Sequence, residues 1–373
     1  MSQNQSLPFW VNAILLPFLN IVTAFVAIAI IFLTIGVDPF EATKILVFGA
    51  FGYQEGIGFM LYYTTNFIFT GLAVAVAFHA GLFNIGGEGQ AYIGGLGAGM
   101  ACILLGQWLP GLLVIPIAIV ASALFGAAWA FIPAVLQAYR GSHIVITTIM
   151  FNYLAAALMV YLMVNVFREP NQMTPESAEF DSSMWILSMH DFLAFFGIEI
   201  ESSPLNLSIF LALLAAVFIW LFVWHTRWGY QLRTTGSNAQ AAIYAGIKPS
   251  RIIVISMLIS GALAGMVGVN EILGVNHRLM LDFHLGYGFA GIAVSLMGRN
   301  HPFGIIVASL LFGILYQGGA ELAFEMSGIT RDIVVVMQGL VILFSGALEF
   351  LYKPFIEKLY FSFKNRMIVE EVA

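Results

Sequence analysis

Charged residues are scarce in this sequence. Lysine, arginine, aspartate and glutamate make up 9% of its 373 residues, whereas apolar residues make up 60%. Soluble domains carry about 25% charged residues, so this composition excludes an ordinary soluble domain and indicates an integral membrane protein. The apolar runs are about 20 residues long, which suits helices that cross a bilayer, and they lack the alternating pattern of barrel strands.

Cysteine and the common catalytic motifs are missing or nearly so. The one cysteine, Cys102, lies in an apolar run and cannot form an internal disulfide. The sequence contains no phosphate-binding G-x-x-x-x-G-K-[ST] pattern, no His-Glu-x-x-His pair and no Gly-x-Ser-x-Gly nucleophile turn. We therefore expect no enzyme site, no metal and no bound cofactor.

The apolar runs predict an all-α polytopic membrane protein with about ten transmembrane helices in one membrane domain. Five spans fall within residues 12–167 and five within residues 205–350. The acidic segment 168–204 is predicted to be external, whereas the polar loop 225–251 and the tail 351–373 are predicted to be cytoplasmic. No lysine or arginine precedes the first run, so we expect a retained helix there and not a cleaved signal peptide.

The distribution of basic residues sets this orientation. With both termini and the loop 225–251 in the cytoplasm, ten of the 14 basic residues lie inside: Arg140, Arg227, Arg233, Lys248, Arg251, Arg299, Lys353, Lys358, Lys364 and Arg366. The four outside are Lys44, Arg168, Arg278 and Arg331. This asymmetry agrees with the positive-inside rule, and the reversed orientation violates it.

A glycine-rich stretch at residues 81–90 interrupts the apolar pattern after the second predicted span. Glycines weaken a helix, and non-helical backbone at membrane depth survives only beside protein or a water-filled cavity. Asn84, Glu88 and Gln90 in this stretch are candidate pathway residues, since an ionisable group in a membrane indicates a functional site. The alternative is structural: Glu88 accepts hydrogen bonds from backbone that the glycines free. Further candidates at membrane depth are Asn66, Asn152 and Glu271.

Small residues mark two other features. Gly94–Gly99 and 261–265 carry glycines at the spacing that lets membrane helices pack closely. Within the loop 225–251, residues 236–247 predict a short helix capped by Ser237 or Asn238 and closed by Gly246. Its candidate docking residues are Gly236, Ser237, Asn238, Ala241, Ala242, Ala245, Gly246 and Ile247. By pattern alone, an ordinary capped loop helix is the favoured interpretation.

Three stretches together resemble one family. Residues 83–90, 140–152 and 236–247 resemble the permease subunits of ABC importers in the nucleoside and simple-sugar branch, which is related to ribose and branched-chain amino acid permeases. The resemblance covers about residues 39–353. It implies two inverted five-helix halves with broken, glycine-rich helices near the midplane, at Gly81 and near Gly286. It also implies that residues 236–247 form the coupling helix that enters a groove of the ATPase.

The resemblance implies a function as well. The chain would be the permease of an ATP-driven nucleoside importer in a bacterial inner membrane, working by alternating access. Its expected partners are an ABC ATPase that uses the ATP, a second homologous permease, an extracytoplasmic substrate-binding protein and the lipid bilayer, with no nucleic acid. Two alternatives stay open. One is a permease for ribose, another simple sugar or a branched-chain amino acid; the other is an ion-coupled carrier acting alone, with Glu88 as the ion site.

Overall fold

All regular secondary structure in the described part of the chain is helical. The computed structural model describes residues 8, 11, 15–170, 172–330, 332–341, 343, 344, 354, 356–358 and 360. The helices are α1 (Leu16–Thr34), α2 (Pro39–Phe51), α3 (Gln54–His79), α4 (Gly87–Leu105), α5 (Gly111–Arg140), α6 (Ile144–Leu162), α7 (Met189–Ala194), α8 (Ser208–His225), α9 (Arg227–Ser237), α10 (Ala239–Tyr244), α11 (Pro249–Gly265), α12 (Tyr287–Met297), α13 (Pro302–Glu325) and α14 (Asp332–Val341). Two π-helical turns, Met163–Phe167 and Val269–Asn276, extend α6 and follow α11.

Within these residues, six helical segments are long and apolar enough to cross a bilayer. They are Gln54–His79, Gly111–Arg140, Ile144–Phe167, Ser208–His225, Pro249–Asn276 and Pro302–Glu325. A seventh is possible if Val22–Thr34 and Pro39–Phe51, which are bent by 120° at a short break, count as one span. The chain is therefore a multi-pass helical membrane protein, and the number of ten spans stays a prediction.

Three of the predicted spans are not among these long, apolar helical segments. α4 has enough residues, but its many glycines and Glu88 lower its hydropathy. α12 has 11 residues, about 16 Å of helix, which is too short for a hydrocarbon core of about 30 Å. The tenth predicted span is described only up to Phe344, and the tail 351–373 lies almost wholly outside the described residues.

The contacts divide the chain into two units, residues 1–46 with 319–373, and residues 47–318. In the first unit, Phe25, Ile28 and Phe32 of α1 face Ala42 and Leu46 of α2. The second unit contains every candidate pathway and docking residue.

Glycines hold the centre of the second unit together. A methyl group on Gly94 of α4 would lie 2.3 Å from the Cα atom of Gly265, and one on Gly126 of α5 would lie 2.2 Å from the carbonyl oxygen of Gly261. The Ser122 hydroxyl donates to the carbonyl of Gly265 at 2.6 Å. The backbones of α4, α5 and α11 therefore touch directly, which confirms the small-residue packing predicted at residues 94–99 and 261–265.

The acidic segment 168–204 is bound to the chain that follows α11. Backbone N–H groups of Phe180 and Ile186 donate to the carbonyls of His277 and Leu273 at 2.8 and 3.0 Å. The Trp185 ring stacks on His277 with 3.8 Å between centroids, and burial lowers the pKa of that histidine. This segment is thus an ordered cap, whose side of the membrane stays a prediction.

Candidate functional site

The predicted break lies between α3 and α4. α3 ends at His79, residues 80–86 are not helical, and α4 begins at Gly87. Gly81 has a φ of +74°, a conformation that glycine adopts without strain, and its N–H donates to the carbonyl of Phe78 at 2.9 Å. We call residues 80–86 the first break. Its position confirms the sequence prediction of a broken helix at this point.

Glu88 binds backbone of the other glycine-rich element. One carboxylate oxygen accepts from the N–H of Gly286 at 2.9 Å, and the other accepts from those of Gly288 and Phe289 at 2.8 and 3.3 Å. These groups form the start of α12, where helical N–H groups lack partners and negative charge is stabilising. The His284 Nε2 atom lies 3.4 Å from the same carboxylate.

This geometry favours the structural alternative for Glu88. Its side chain is only 9% exposed, and its three hydrogen bonds go to backbone. The two elements also touch through glycine, because a methyl group on Gly288 would lie 2.2 Å from the Glu88 nitrogen. The freed backbone that Glu88 binds is that of residues 286–289 and not that of its own stretch.

Asn84 and Gln90 pair with each other. The Asn84 amide donates to the Gln90 side-chain oxygen at 2.9 Å and to the Ser260 hydroxyl at 2.8 Å. The Asn84 oxygen accepts from the Gly86 N–H at 2.9 Å and from the Gln90 amide at 3.2 Å. Ser260 in turn donates to the carbonyl of Ala73 at 2.6 Å. The pair therefore shapes the first break and ties it to α11 and α3.

Asn152 holds the same break from α6. Its oxygen accepts from the Gly89 N–H at 2.9 Å, and its amide donates to the carbonyl of Ile85 at 3.0 Å. One side chain thus binds backbone on both sides of Gly86 and Gly87. Asn84, Glu88, Gln90 and Asn152 are brought together around one feature.

Glu271 and Asn66 lie in a second, buried polar cluster. One oxygen of Glu271, which is 2% exposed, accepts from the Tyr62 hydroxyl and from the Asn66 amide, each at 2.6 Å. Asn270 donates to the Asn66 oxygen at 2.9 Å. The Asn270 oxygen accepts from the Asn206 amide at 2.9 Å and from the Ser208 hydroxyl at 2.7 Å. The cluster therefore joins α3, α8 and the π-helical turn after α11.

Sequence reasoning missed four members of this cluster: Tyr62, Asn206, Ser208 and Asn270. Only Asn270 gave a signal, since it precedes Glu271 within an apolar run. The π-helical turn was also missed. Such turns recur at functional sites, and here the turn places Asn270 and Glu271 toward α3.

An aromatic cluster lies beside the Glu271 cluster. The Phe67 ring lies 4.8 Å from Tyr316 and 5.6 Å from Tyr287, and Tyr62 and Tyr63 are 5.0 Å apart. Tyr287 itself stands between the two glycines whose N–H groups Glu88 binds. These rings therefore connect the surroundings of the two carboxylates, and aromatic faces can stack on planar, apolar groups.

Tyr62→Phe is expected to lower the free energy of unfolding by about 1–3 kcal/mol, because Glu271 loses a donor in a buried site. Thermal unfolding of the purified protein in detergent measures this. Tyr153→Phe is the control, since Tyr153 is exposed on the helix surface. Equal stability of the Tyr62 variant and the parent protein would contradict the role of this bond.

The predicted docking helix is α10, but the loop around it is more helical than expected. α9 (Arg227–Ser237), an unexpected helix, precedes α10. The Asn238 side chain accepts from the Ala241 N–H at 3.0 Å, so Asn238 and not Ser237 caps α10. Gly246 has a φ of +77°, and the Ile247 N–H donates to the Ala242 carbonyl at 2.9 Å, which closes the helix as predicted.

The candidate docking residues divide between two faces of this segment. Ala242 and Ile247 are buried against the rest of the chain, and Gly236 is half-buried. The exposed candidates are Ser237, Asn238, Ala241, Ala245 and Gly246. Two residues that sequence reasoning missed, Ile243 and Tyr244, are large and exposed, with 52% and 93% of their surface accessible. Two large apolar residues in a polar loop were the available signal.

Inside a multi-pass helical domain, a helix break at residues 80–86 is followed by Glu88, which binds backbone at the start of the short helix α12. Interrupted helices of this kind are typical of membrane transporters. The chain belongs to the family of branched-chain amino acid transport system permease components, whose model matches residues 56–346. It is therefore a transport component and not an enzyme.

Several named permeases are similar to the chain over most of its length. The guanosine ABC transporter permease NupP of Bacillus subtilis is 35% identical over 336 residues, which cover 89% of this chain and 92% of that protein. The nucleoside ABC transporter permease NupB of Lactococcus lactis is 33% identical and covers 92% of this chain and 93% of its own length. The glucose ABC transporter permease TsgB13 of Haloferax volcanii is 30% identical and covers 94% and 91%.

Proposed function

We propose that this chain is the permease subunit of an ATP-driven ABC importer that takes up nucleosides. The observation that carries this proposal is the similarity, along about nine tenths of the chain, to two permeases named for guanosine and for nucleosides. Guanosine is accordingly the first substrate to test. The similarity to a glucose permease makes a monosaccharide the second candidate.

The proposed mechanism is alternating access driven from outside this chain. A separate ATPase binds and hydrolyses ATP, and α10 docks in a groove on its surface. Closure of the ATPase moves α10, and the permease opens alternately to each side of the membrane. Two inverted halves of five spans, with the loop 225–251 and both termini in the cytoplasm of a bacterial inner membrane, form the topology that we propose for this motion.

A second, similar permease is proposed as partner. Bacillus subtilis has a second guanosine permease, NupQ, and Lactococcus lactis has a second nucleoside permease, NupC, and this chain is similar to both, at 26% and 30% identity. The chain resembles NupP and NupB over more of its length than it resembles NupQ and NupC. We therefore propose that its partner permease is of the NupQ and NupC type. An extracytoplasmic binding protein completes the proposed complex and delivers the substrate.

The bonds of Glu88 support this mechanism over an ion-coupled carrier. A proton or sodium site would have to exchange its ion during transport, whereas this carboxylate is occupied by three backbone N–H groups at the start of α12. An ion bound there would have to break these bonds.

The test is purification and reconstitution of the native complex. The tagged chain is extracted in mild detergent, its partners are identified by mass spectrometry, and the complex is placed in vesicles with its binding protein. We expect a co-purifying ATPase and second permease, and ATP-dependent uptake of labelled guanosine that glucose does not inhibit. Uptake of glucose and not of guanosine would show that the substrate is a sugar. Ion-driven uptake by the chain without an ATPase would contradict the proposal of an ATP-driven importer.

Tyr244→Ala is expected to weaken binding of the ATPase about tenfold or more, because exposed aromatic residues at the centre of an interface carry much of its energy. Retention of the ATPase on the immobilised permease, measured against detergent concentration and time, gives the effect. Phe196→Ala, an exposed aromatic residue in the acidic segment, is the control and should retain the ATPase. If both variants retain it equally, Tyr244 is not part of the interface.

A further inference from the structure

The coupling region touches the first break through glycine. A methyl group on Gly236, near the end of α9, would lie 2.3 Å from the carbonyl oxygen of His79 and 2.7 Å from the nitrogen of Gly81. From the other side, one on Gly81 would lie 3.1 Å from the Cα atom of Gly236. The end of α9 therefore packs backbone to backbone on the turn that ends α3.

α9 and α10 are joined by one residue that ends the first helix and caps the second. The Asn238 N–H donates to the carbonyl of Thr234 at 3.0 Å and so ends α9, while its side chain caps α10. Asn238 is the only residue between the two helices. The two helices are therefore connected without an intervening loop, and Gly236 lies two residues from the shared cap.

The residues that flank the first break, His79 at the end of α3 and Glu88 at the start of α4, contact both ends of α12. Next to the Gly236 contact, the Nε2 atom of His79 lies 3.0 Å from the carbonyl oxygen of Asn300, in the turn that follows α12. Asn300 is fixed to that helix, since its N–H donates to the Ser295 carbonyl at 2.8 Å and its side chain accepts from the Ser295 hydroxyl. At the other end of the break, Glu88 binds the first N–H groups of α12.

We propose that the contact between Gly236 and Gly81 is the joint through which movement of α10 reaches α12 and the aromatic cluster around Tyr287. Gly236 and Gly81 are positioning residues in this scheme and do not touch substrate. The inference rests on the proposed function, because it requires an ATPase that moves α10.

The chemistry of the contact suits this role. A long side chain at an interface can absorb a small shift by changing its rotamer, whereas two backbones in contact cannot. Close-packed elements of this kind pass on displacements and switch between discrete arrangements. Beyond this contact, the path continues through the side chains of His79 and Glu88, which bind backbone at the two ends of α12.

Gly236→Ala in the complete complex tests this joint. Alanine favours a helix over glycine, so α9 itself should form at least as well. We expect ATP-dependent uptake to fall about tenfold, while the ATPase stays bound and continues to hydrolyse ATP. Mutations along networks that couple two sites can have effects of this size. Gly339→Ala in α14 is the matched control, because its added methyl group would meet nothing within 4 Å and should leave uptake per ATP hydrolysed unchanged.

Hydrogen exchange in the same complexes gives a second readout. In the parent complex, a non-hydrolysable ATP analogue should change exchange at residues 287–297, and in Gly236→Ala that change should be lost. Unchanged uptake per ATP together with an unchanged response at these residues would overturn the proposal. If no ATPase co-purifies with the chain, the proposed function itself is wrong.

If Gly236→Ala does not assemble, His79→Phe tests the other side of the turn. Phenylalanine keeps the bulk of the side chain and removes the bond to Asn300. We expect a similar loss of uptake per ATP hydrolysed with an assembled complex. An assembled His79→Phe complex that couples as well as the parent would overturn the proposed path.

Discussion

Glu88→Gln is expected to lower the free energy of unfolding by about 3 kcal/mol, with a corresponding loss of assembled, transporting complex. Glutamine has one acceptor oxygen where the carboxylate has two, and its amide would point a donor at a backbone N–H of Gly286 or Gly288. At least one buried N–H then loses its partner, and the start of α12 loses a negative charge. Thermal unfolding in detergent and uptake in vesicles measure the two effects.

The control is Glu199→Gln, which changes an exposed carboxylate in the acidic segment and should leave stability unchanged. The two readouts also separate the importer from an ion-coupled carrier. In a carrier with its ion site at Glu88, the glutamine variant would stay stable and lose only gradient-driven uptake. A stable variant with normal uptake would show that the bonds of Glu88 to α12 contribute little.

Gly126→Ala is expected to lower the free energy of unfolding by about 3 kcal/mol or more. The added methyl group would lie 2.2 Å from the carbonyl oxygen of Gly261 and 2.9 Å from the Cα atom of Gly265. Both atoms belong to the backbone of α11, so the two helices must separate, and overpacking of this kind typically costs about 1–3 kcal/mol even where side chains can move. Separation would also stretch the bond from Ser122 to Gly265.

The matched control is Gly339→Ala in α14, where a methyl group would meet nothing within 4 Å. There the change should be neutral or stabilising by up to about 1 kcal/mol, because alanine has the higher helix propensity. Thermal unfolding and the fraction of monodisperse protein compare the two variants. Equal behaviour of both would contradict the direct backbone contact between α5 and α11.

The features that could be read from the sequence are local. The membrane class follows from composition, and the first break follows from glycines that lie within ten residues of one another. The cap and closure of α10 depend on Asn238, Ala241 and Gly246, which are neighbours in the chain. The break and the cap each depend on residues within one or two turns of backbone, so the local sequence pattern is enough to predict them.

The number of membrane spans could not be predicted from local sequence patterns. Apolar run length alone cannot separate a span from a short helix that is sheltered by protein, and α12 is too short to cross a bilayer by itself. α4, by contrast, is long enough to cross a bilayer but is not apolar enough. It is buried among α5, α6 and α11. Burial against neighbouring helices, which the run length does not encode, accounts for both.

The sequence by itself determined that this is a helical membrane permease with a helix broken at residues 80–86 and a capped helix in a polar loop. Only the tertiary structure decided what the polar residues do. Glu88 binds N–H groups some 198 to 201 residues further along the chain, and Glu271 binds Tyr62 from 209 residues away. Partners so distant are chosen by how the helices pack, because each buried polar group must find a partner among the atoms that packing brings within reach.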